Sequence, residues 1–116
     1  MKLVICEKPS VGAAVAAALG VTGRKDGYIE GNGYLISWCI GHLVQLSEAA
    51  AYGEQYRKWS YDSLPILPQE WQYTVAADKG KQFKILKDLM HRADVSEVVN
   101  ACDAGREGEL IFRFVY

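Results

Sequence analysis

Val98-Val99-Asn100-Ala101-Cys102-Asp103-Ala104-Gly105-Arg106-Glu107-Gly108-Glu109 runs from an apolar stretch straight into three carboxylates and one guanidinium. Residues 96–102 predict a buried strand, and residues 107–115 the start of a helix. A strand, a tight loop and a helix in this order belong to an α/β sheet, whose ligand sites lie at the carboxyl ends of the strands. Acids packed at such a point repel one another unless a cation neutralises them. A hard, oxygen-seeking ion such as Mg²⁺ meets that need. The competing reading is a helix N-terminus decorated with carboxylates, which the helix dipole favours.

The beginning of the chain repeats the same unit. Lys2 to Cys6 predicts a strand, Glu7-Lys8-Pro9-Ser10 a turn, and Val11 to Leu19 an alanine-rich helix capped by Ser10 and stopped by Gly20. If both strands are central and parallel, their carboxyl ends share one edge, and Glu7 converges with Asp103 and Glu107. Otherwise Glu7 and Lys8 form a solvated ion pair of little consequence. Between the two units, Tyr28-Ile29-Glu30 and residues 34–40 flank Gly31-Asn32-Gly33 and predict a hairpin ending at Gly41-His42-Leu43. Residues 44–70 are less regular, with a short helix expected near 48–56. Leu64-Pro65-Ile66-Leu67-Pro68 predicts an extended surface connection. Trp71 to Ala76 predicts a strand, and Asp78 opens a helix with Phe83, Leu86, Leu89 and Met90 on one face.

The chain has 116 residues, 50% of them apolar, which suits one compact domain and excludes disorder. No apolar run is long enough to span a membrane, and no signal peptide precedes the first strand. Cys6, Cys39 and Cys102 are odd in number and lack metal-ligand spacing, so buried reduced thiols in a cytoplasmic protein are expected. The net charge of −1 makes no global electrostatic case for nucleic acid, so any DNA contact has to be local. The final helix reaches Tyr116 without a C-cap glycine or proline, and reads as cut. Residues 1–116 are therefore expected to be the N-terminal piece of a longer protein.

Asp103-x-x-Arg106-Glu107-Gly108-Glu109 after one strand, with Glu7-Lys8-Pro9-Ser10 after the first, resembles the Toprim domain of the type IA DNA topoisomerases, and most closely their topoisomerase III branch. Gly41-His42-Leu43 and Leu64-Pro65-Ile66-x-Pro68 extend the resemblance from Lys2 to Tyr116. It implies an α/β, Rossmann-like Toprim domain, with a mostly parallel central sheet flanked by helices and an inserted hairpin. It also implies Mg²⁺-dependent, ATP-independent cutting, passage and rejoining of single-stranded DNA by the full protein.

Under the same resemblance, Glu7 would be the acid that protonates the leaving 3′ oxygen and the base on rejoining. Lys8 would steady the scissile phosphate. Asp103 and Glu107, with Glu7, would hold Mg²⁺. Arg106 can reach a phosphate, while Arg106 and Glu109 would organise the loop, and Gly105 and Gly108 would allow close backbone approach. The pattern usually reads Asp-x-Asp-Arg-Glu, and Gly105 stands where the second aspartate would be. Fewer anionic ligands imply weaker binding, one metal rather than two, and water completing the octahedron. The resemblance puts the DNA-cleaving tyrosine in a later domain of the same chain. No tyrosine here has the Pro-Arg neighbourhood of that motif, so residues 1–116 alone are expected to be inactive.

Other residues admit two readings. His42 is either a phosphate contact or a partly buried histidine bonded to backbone. Lys79, Lys81, Lys84 and Lys87 either track DNA phosphates or form a solvated helix face. Trp38, Trp59 and Trp71 either stack on bases or, as strand-borne tryptophans, fill the core. Another Toprim enzyme, such as a primase or nuclease, shares the acids but not the Glu-Lys-Pro-Ser start. A non-catalytic Rossmann-like nucleotide-binding module calls for a glycine-rich loop after the first strand, and Glu7-Lys8-Pro9-Ser10 is not one.

Overall fold

The computed structural model describes residues 1–116. Its centre is β1 (Lys2–Cys6), a strand whose apolar residues leave both faces with something to bury. Leu3 and Ile5 point to one face, Val4 and Cys6 to the other, as the two-residue period of a strand requires. Two parallel neighbours flank it. β4 (Tyr34–Trp38) pairs on one side with Cys6 opposite Trp38, and β7 (Glu97–Ala101) on the other with Cys6 opposite Ala101. The five-stranded sheet is completed by β3 (Tyr28–Gly31), antiparallel to β4, and by a short edge strand β2 (Gly23–Arg24) absent from the sequence expectation. The order is β2-β3-β4-β1-β7. The predicted architecture is present: a parallel core bearing a hairpin, with helices on both faces.

α1 (Pro9–Ala18) covers the face carrying Val4, Cys6, Ile29 and Ile36. Its N-cap is Lys8 in extended geometry and Pro9 stands at its first turn, so the expected Ser10 cap does not form. A proline there loses no hydrogen bond and already has the helical φ. Gly12 faces the Trp38 ring, where a Cβ would lie 2.6 Å from the indole carbon Cε3. Trp38 thus packs on α1. The hairpin turn is Asn32-Gly33, both residues at positive φ, as a two-residue turn between twisted strands requires. The Asn32 amide also donates to the Gly20 carbonyl at 2.9 Å and closes the C-terminus of α1.

α2 (Gly80–Met90) and α3 (Arg106–Val115) cover the other face, burying Leu3, Ile5, Leu35, Leu86, Leu89, Ile111 and Phe112. Gln82 is buried inside the predicted apolar stripe of α2. Its amide donates to the Trp38 carbonyl at 2.8 Å and to Gly27 O and Ser37 Oγ, each at 3.2 Å. The two amide hydrogens are shared among these three acceptors, which pins α2 to the end of β4. Residues 44–46 and 73–75 were expected to be irregular and a strand, respectively. They pair as β5 (Val44–Leu46) and β6 (Tyr73–Val75) in a separate two-stranded sheet. The expected helix near 48–56 is a pair of single 3₁₀ turns, Ala49–Tyr52 and Glu54–Tyr56.

The amino end of the sheet is clamped. The Met1 amine donates to the Asp94 carbonyl at 2.5 Å, and Ser96 N donates to Met1 O at 3.0 Å. Arg92 holds the Asp94 carboxylate with Nε and Nη2 at 3.0 and 2.7 Å, and reaches Glu30 on β3 at 3.1 Å. These Arg92 hydrogen bonds hold the Asp94 carboxyl below the usual carboxylate range. The folded carboxyl has the lower pKa. Its contribution is therefore complete above the range where an unfolded aspartate ionises, and is lost as pH falls through the folded value. Asp94→Asn is expected to lower the thermal unfolding midpoint at neutral pH. The gap to the unmodified protein should close in acid below the folded pKa. Parallel melting curves across that range check this, and a gap that persists in acid speaks against it.

Candidate active site

β4, β1 and β7 run parallel, so the residues that follow them emerge along one edge: Gly41-His42, Glu7-Lys8 and Asp103 to Glu107. The Cys6–Ala101 register puts Glu7 beside the Asp103 loop. Burial, the hydrogen bond to Asp103 and the like charges of Asp103 and Glu107 raise the Glu7 pKa, and only Lys8 opposes the shift. Cys6, Cys39 and Cys102 lie beneath these loops, the first two fully buried and the third half-buried. Burial pushes Cys6 and Cys102 up to about 11 and Cys39 up to about 12. Thiols held so far above neutrality stay protonated, and serve as packing beneath the acids.

The two glycines of the acidic loop play different parts. A Cβ on Gly108 would stand 2.2 Å from Asp103 O and 2.8 Å from Asp103 N. Only a glycine lets the first turn of α3 lie against the Asp103 backbone. Gly105, by contrast, has φ −133° and nothing within 4 Å of where a Cβ would be. It is the N-cap of α3, and close approach does not require a glycine there.

Glu109 has hydrogen-bond partners other than Arg106. It accepts from Asn100 Nδ2 at 2.9 Å and from Arg113 Nε at 2.6 Å. Asn100 in turn accepts from Cys102 N at 3.0 Å, fixing the step from β7 into the loop. Asn100 has a sequence signal, a lone amide in an apolar strand three residues before the first acid. The role of Arg113 is visible only as an i, i+4 pairing.

Arg106 and Lys8 are exposed, and neither belongs to an ion pair. Glu107 is held differently from Glu7 and Asp103, because its carboxylate contacts His42 Nε2. His42 rests with its ring tilted 55° against Phe114 of α3, 6.4 Å between centroids. Lys79 Nζ donates to the His42 carbonyl at 3.4 Å, bringing a cation to this edge. The structure thus brings Glu7 to Asp103 and Glu107 to His42. The three acids do not close into a single three-ligand group. Lys81, Lys84 and Lys87 lie on the exposed side of α2, where Lys81 pairs with Asp26 at 3.1 Å. Trp59 and Trp71 are exposed, so the expectation that strand-borne tryptophans fill the core fails for both. Neither lies in a strand.

A parallel α/β sheet with acids gathered at one carboxyl edge, and helices on both faces, defines the class. The Toprim domain model matches residues 2–116, and the chain belongs to that family. It is 46% identical over 114 residues to DNA topoisomerase 3 of Shouchella clausii strain KSM-K16, an alignment covering 98% of this chain and 16% of the relative. It is 43% identical over 113 residues to DNA topoisomerase 3 of Bacillus anthracis, covering 97% and 16%. The corresponding enzyme of Bacillus licheniformis is 42% identical over the same length and shares. The chain therefore spans about 16% of the length of these relatives. No helix is long and apolar enough to cross a membrane.

The unequal glycines give a direct test. Gly108→Ala forces α3 off the Asp103 backbone, and should cost about 1–3 kcal/mol or more in a chemical denaturation experiment. Gly105→Ala meets open space and should stay within about 0.5 kcal/mol of the unmodified protein. Equal effects at the two positions would contradict the assignment.

Proposed function

We propose that this chain is the Toprim segment of a DNA topoisomerase 3-like enzyme, in which it supplies the acid–base and metal-holding groups for cutting and rejoining single-stranded DNA. The complete protein would act without ATP and carry the attacking tyrosine outside residues 1–116. The observation that carries the proposal is the meeting of Glu7 with Asp103 at the shared ends of β1 and β7, beside the unpaired cations Lys8 and Arg106.

Glu7 is the general acid. A carboxyl whose pKa is raised by burial and by Asp103 holds its proton closer to neutrality, the state required for donation. As the tyrosine oxygen–phosphorus bond forms, the phosphorus–3′-oxygen bond breaks, and the Glu7 proton passes to the departing oxygen. On rejoining, the Glu7 carboxylate takes that proton back while the 3′ oxygen displaces the tyrosine. Lys8 lies next to Glu7 and balances charge on the phosphate oxygens. Arg106, at the first turn of α3, adds a guanidinium and the positive end of a helix dipole to the same place.

The donor set fits a hard divalent cation, because Glu7 and Asp103 present like charges that repel without one. Asp103 would hold Mg²⁺, with Glu7 beside it and Glu107 joining on release from His42. When bound, the ion supplies positive charge that neutralises these carboxylates and orients the phosphate for rejoining. Gly105 brings no carboxylate, so water fills the remaining positions.

Glu7→Gln in the complete protein should reduce cleavage of a single-stranded oligonucleotide by roughly 10²–10⁴-fold, the usual scale of a lost general acid. A variant that cleaves at the unmodified rate rules out this role. Gly105→Asp should tighten Mg²⁺ binding in calorimetric titration, since it adds a carboxylate at a position where a Cβ meets nothing within 4 Å. Asp103→Asn should weaken it. An affinity unchanged by both substitutions would remove the metal from this edge.

A further inference from the structure

Residues 47–72, between β5 and β6, contain no buried residue. The segment is nonetheless shaped. Gln72 N donates to Tyr52 Oη at 2.9 Å and Ser47 N to Gln72 O at 2.8 Å, while the Tyr52 and Trp71 rings meet edge-on at 6.2 Å. Above this neck two single 3₁₀ turns and the segment from Ile66 onward line an open groove of about 600 Å³, walled by Tyr52, Tyr56, Ile66, Leu67 and Pro68 and by polar side chains between Gln69 and Gln72. Trp59 is 80% exposed, Tyr61 97% and Leu67 78%. The excursion stretches the molecule to 57 × 27 × 23 Å and its radius of gyration to 17.2 Å. A compact chain of this length has about 13 Å.

Large aromatic and aliphatic side chains held in water around a groove are the composition of the centre of a protein interface. The charge of the segment selects among occupants. Glu48, Glu54, Asp62 and Glu70 stand against Arg57 and Lys58 alone, a balance that repels a phosphate backbone. The occupant is therefore protein. The relatives offer one, since this chain corresponds to 16% of their length. The last turn of α3 also stands at the foot of the excursion, where Phe114 meets Tyr73 edge-on at 5.2 Å. A polypeptide continuing from α3 starts beside this surface, at the high effective concentration that makes even a modest groove bind within one chain.

We infer that the 47–72 excursion, through Trp59, Tyr61, Leu67 and its groove, is the seat on which the remaining part of the same polypeptide docks. The inference rests on the proposal above that the chain belongs to a larger enzyme. Docking there fixes the acids of the carboxyl edge relative to the rest of the protein, because β5 follows directly from the Gly41-His42-Leu43 loop that holds Glu107.

Hydroxyl-radical labelling of the complete protein, read by mass spectrometry against the same protein unfolded in urea, tests this. In dilute, DNA-free protein the labelling of Trp59, Tyr61 and Leu67 should be lost. Labelling at the unfolded rate overturns the inference. So does protection that arises only with a single-stranded oligonucleotide, which assigns the face to bases, or only at raised protein concentration, which assigns it to a second copy. Trp59→Ser with Tyr61→Ser should restore labelling at Leu67 and open 47–72 to limited proteolysis. DNA cleavage by the same preparation reports separately on the enzyme reading. A protein that cleaves DNA with Trp59 fully labelled loses only the docking surface, and one protected at Trp59 yet inert toward DNA loses only the catalytic proposal.

Discussion

β1 is hydrogen-bonded on both sides by parallel strands, and that double ladder decides where every charged group of the carboxyl edge stands. Its register pairs Cys6 with Trp38 and with Ala101, so the residues leaving all three strands are released together. A parallel ladder tolerates no slip of one residue, since that would turn Leu3 and Ile5 from the α2–α3 side to the α1 side. Hydrophobic burial on the two faces thus holds carboxylates in a position they would not choose for themselves. The Arg92–Asp94–Glu30 clamp and the Met1–Asp94 hydrogen bond secure the other end of the same strands.

The electrostatic consequence is local. The chain as a whole is nearly neutral, yet Glu7 and Asp103 are pressed together at one edge while Lys8 and Arg106 remain exposed beside them. Like charges in contact raise the proton affinity of one member, and the same crowding favours a divalent cation. Glu107 adds its own like charge to Glu7 while its carboxylate contacts His42. The acids are therefore divided between a carboxylate pair and a carboxylate–imidazole contact. Gly108 makes this possible by letting α3 start against the Asp103 backbone.

The excursion obeys different physics. It has a tied neck and an open groove but no buried residue, so its own contacts stabilise little of the apolar surface it presents. Trp59 and Trp71 belong to this surface, whereas Trp38 is packed on Gly12 of α1. One residue type thus serves two environments. The difference lies in what is opposite each ring: a helix for Trp38, and water for Trp59.

Local chemistry determined much of this protein by itself. The continuous apolar run Leu3–Cys6, the Asn32-Gly33 turn, the helical spacing of Leu86 and Leu89, and the acids following an apolar strand each specify their own element, because the forces involved act within a few residues. The Toprim resemblance rests on the same short stretches. Only the tertiary structure decided which groups meet. Glu107 turns to His42, Glu109 to Asn100 and Arg113 instead of Arg106, and Gln82 enters the core because three carbonyl and hydroxyl oxygens wait there. Gly105 and Gly108 look alike in sequence, yet only one has a backbone pressed against it. Pairings of this kind depend on distances between segments far apart in the chain, and those distances are set by the packing of the whole sheet.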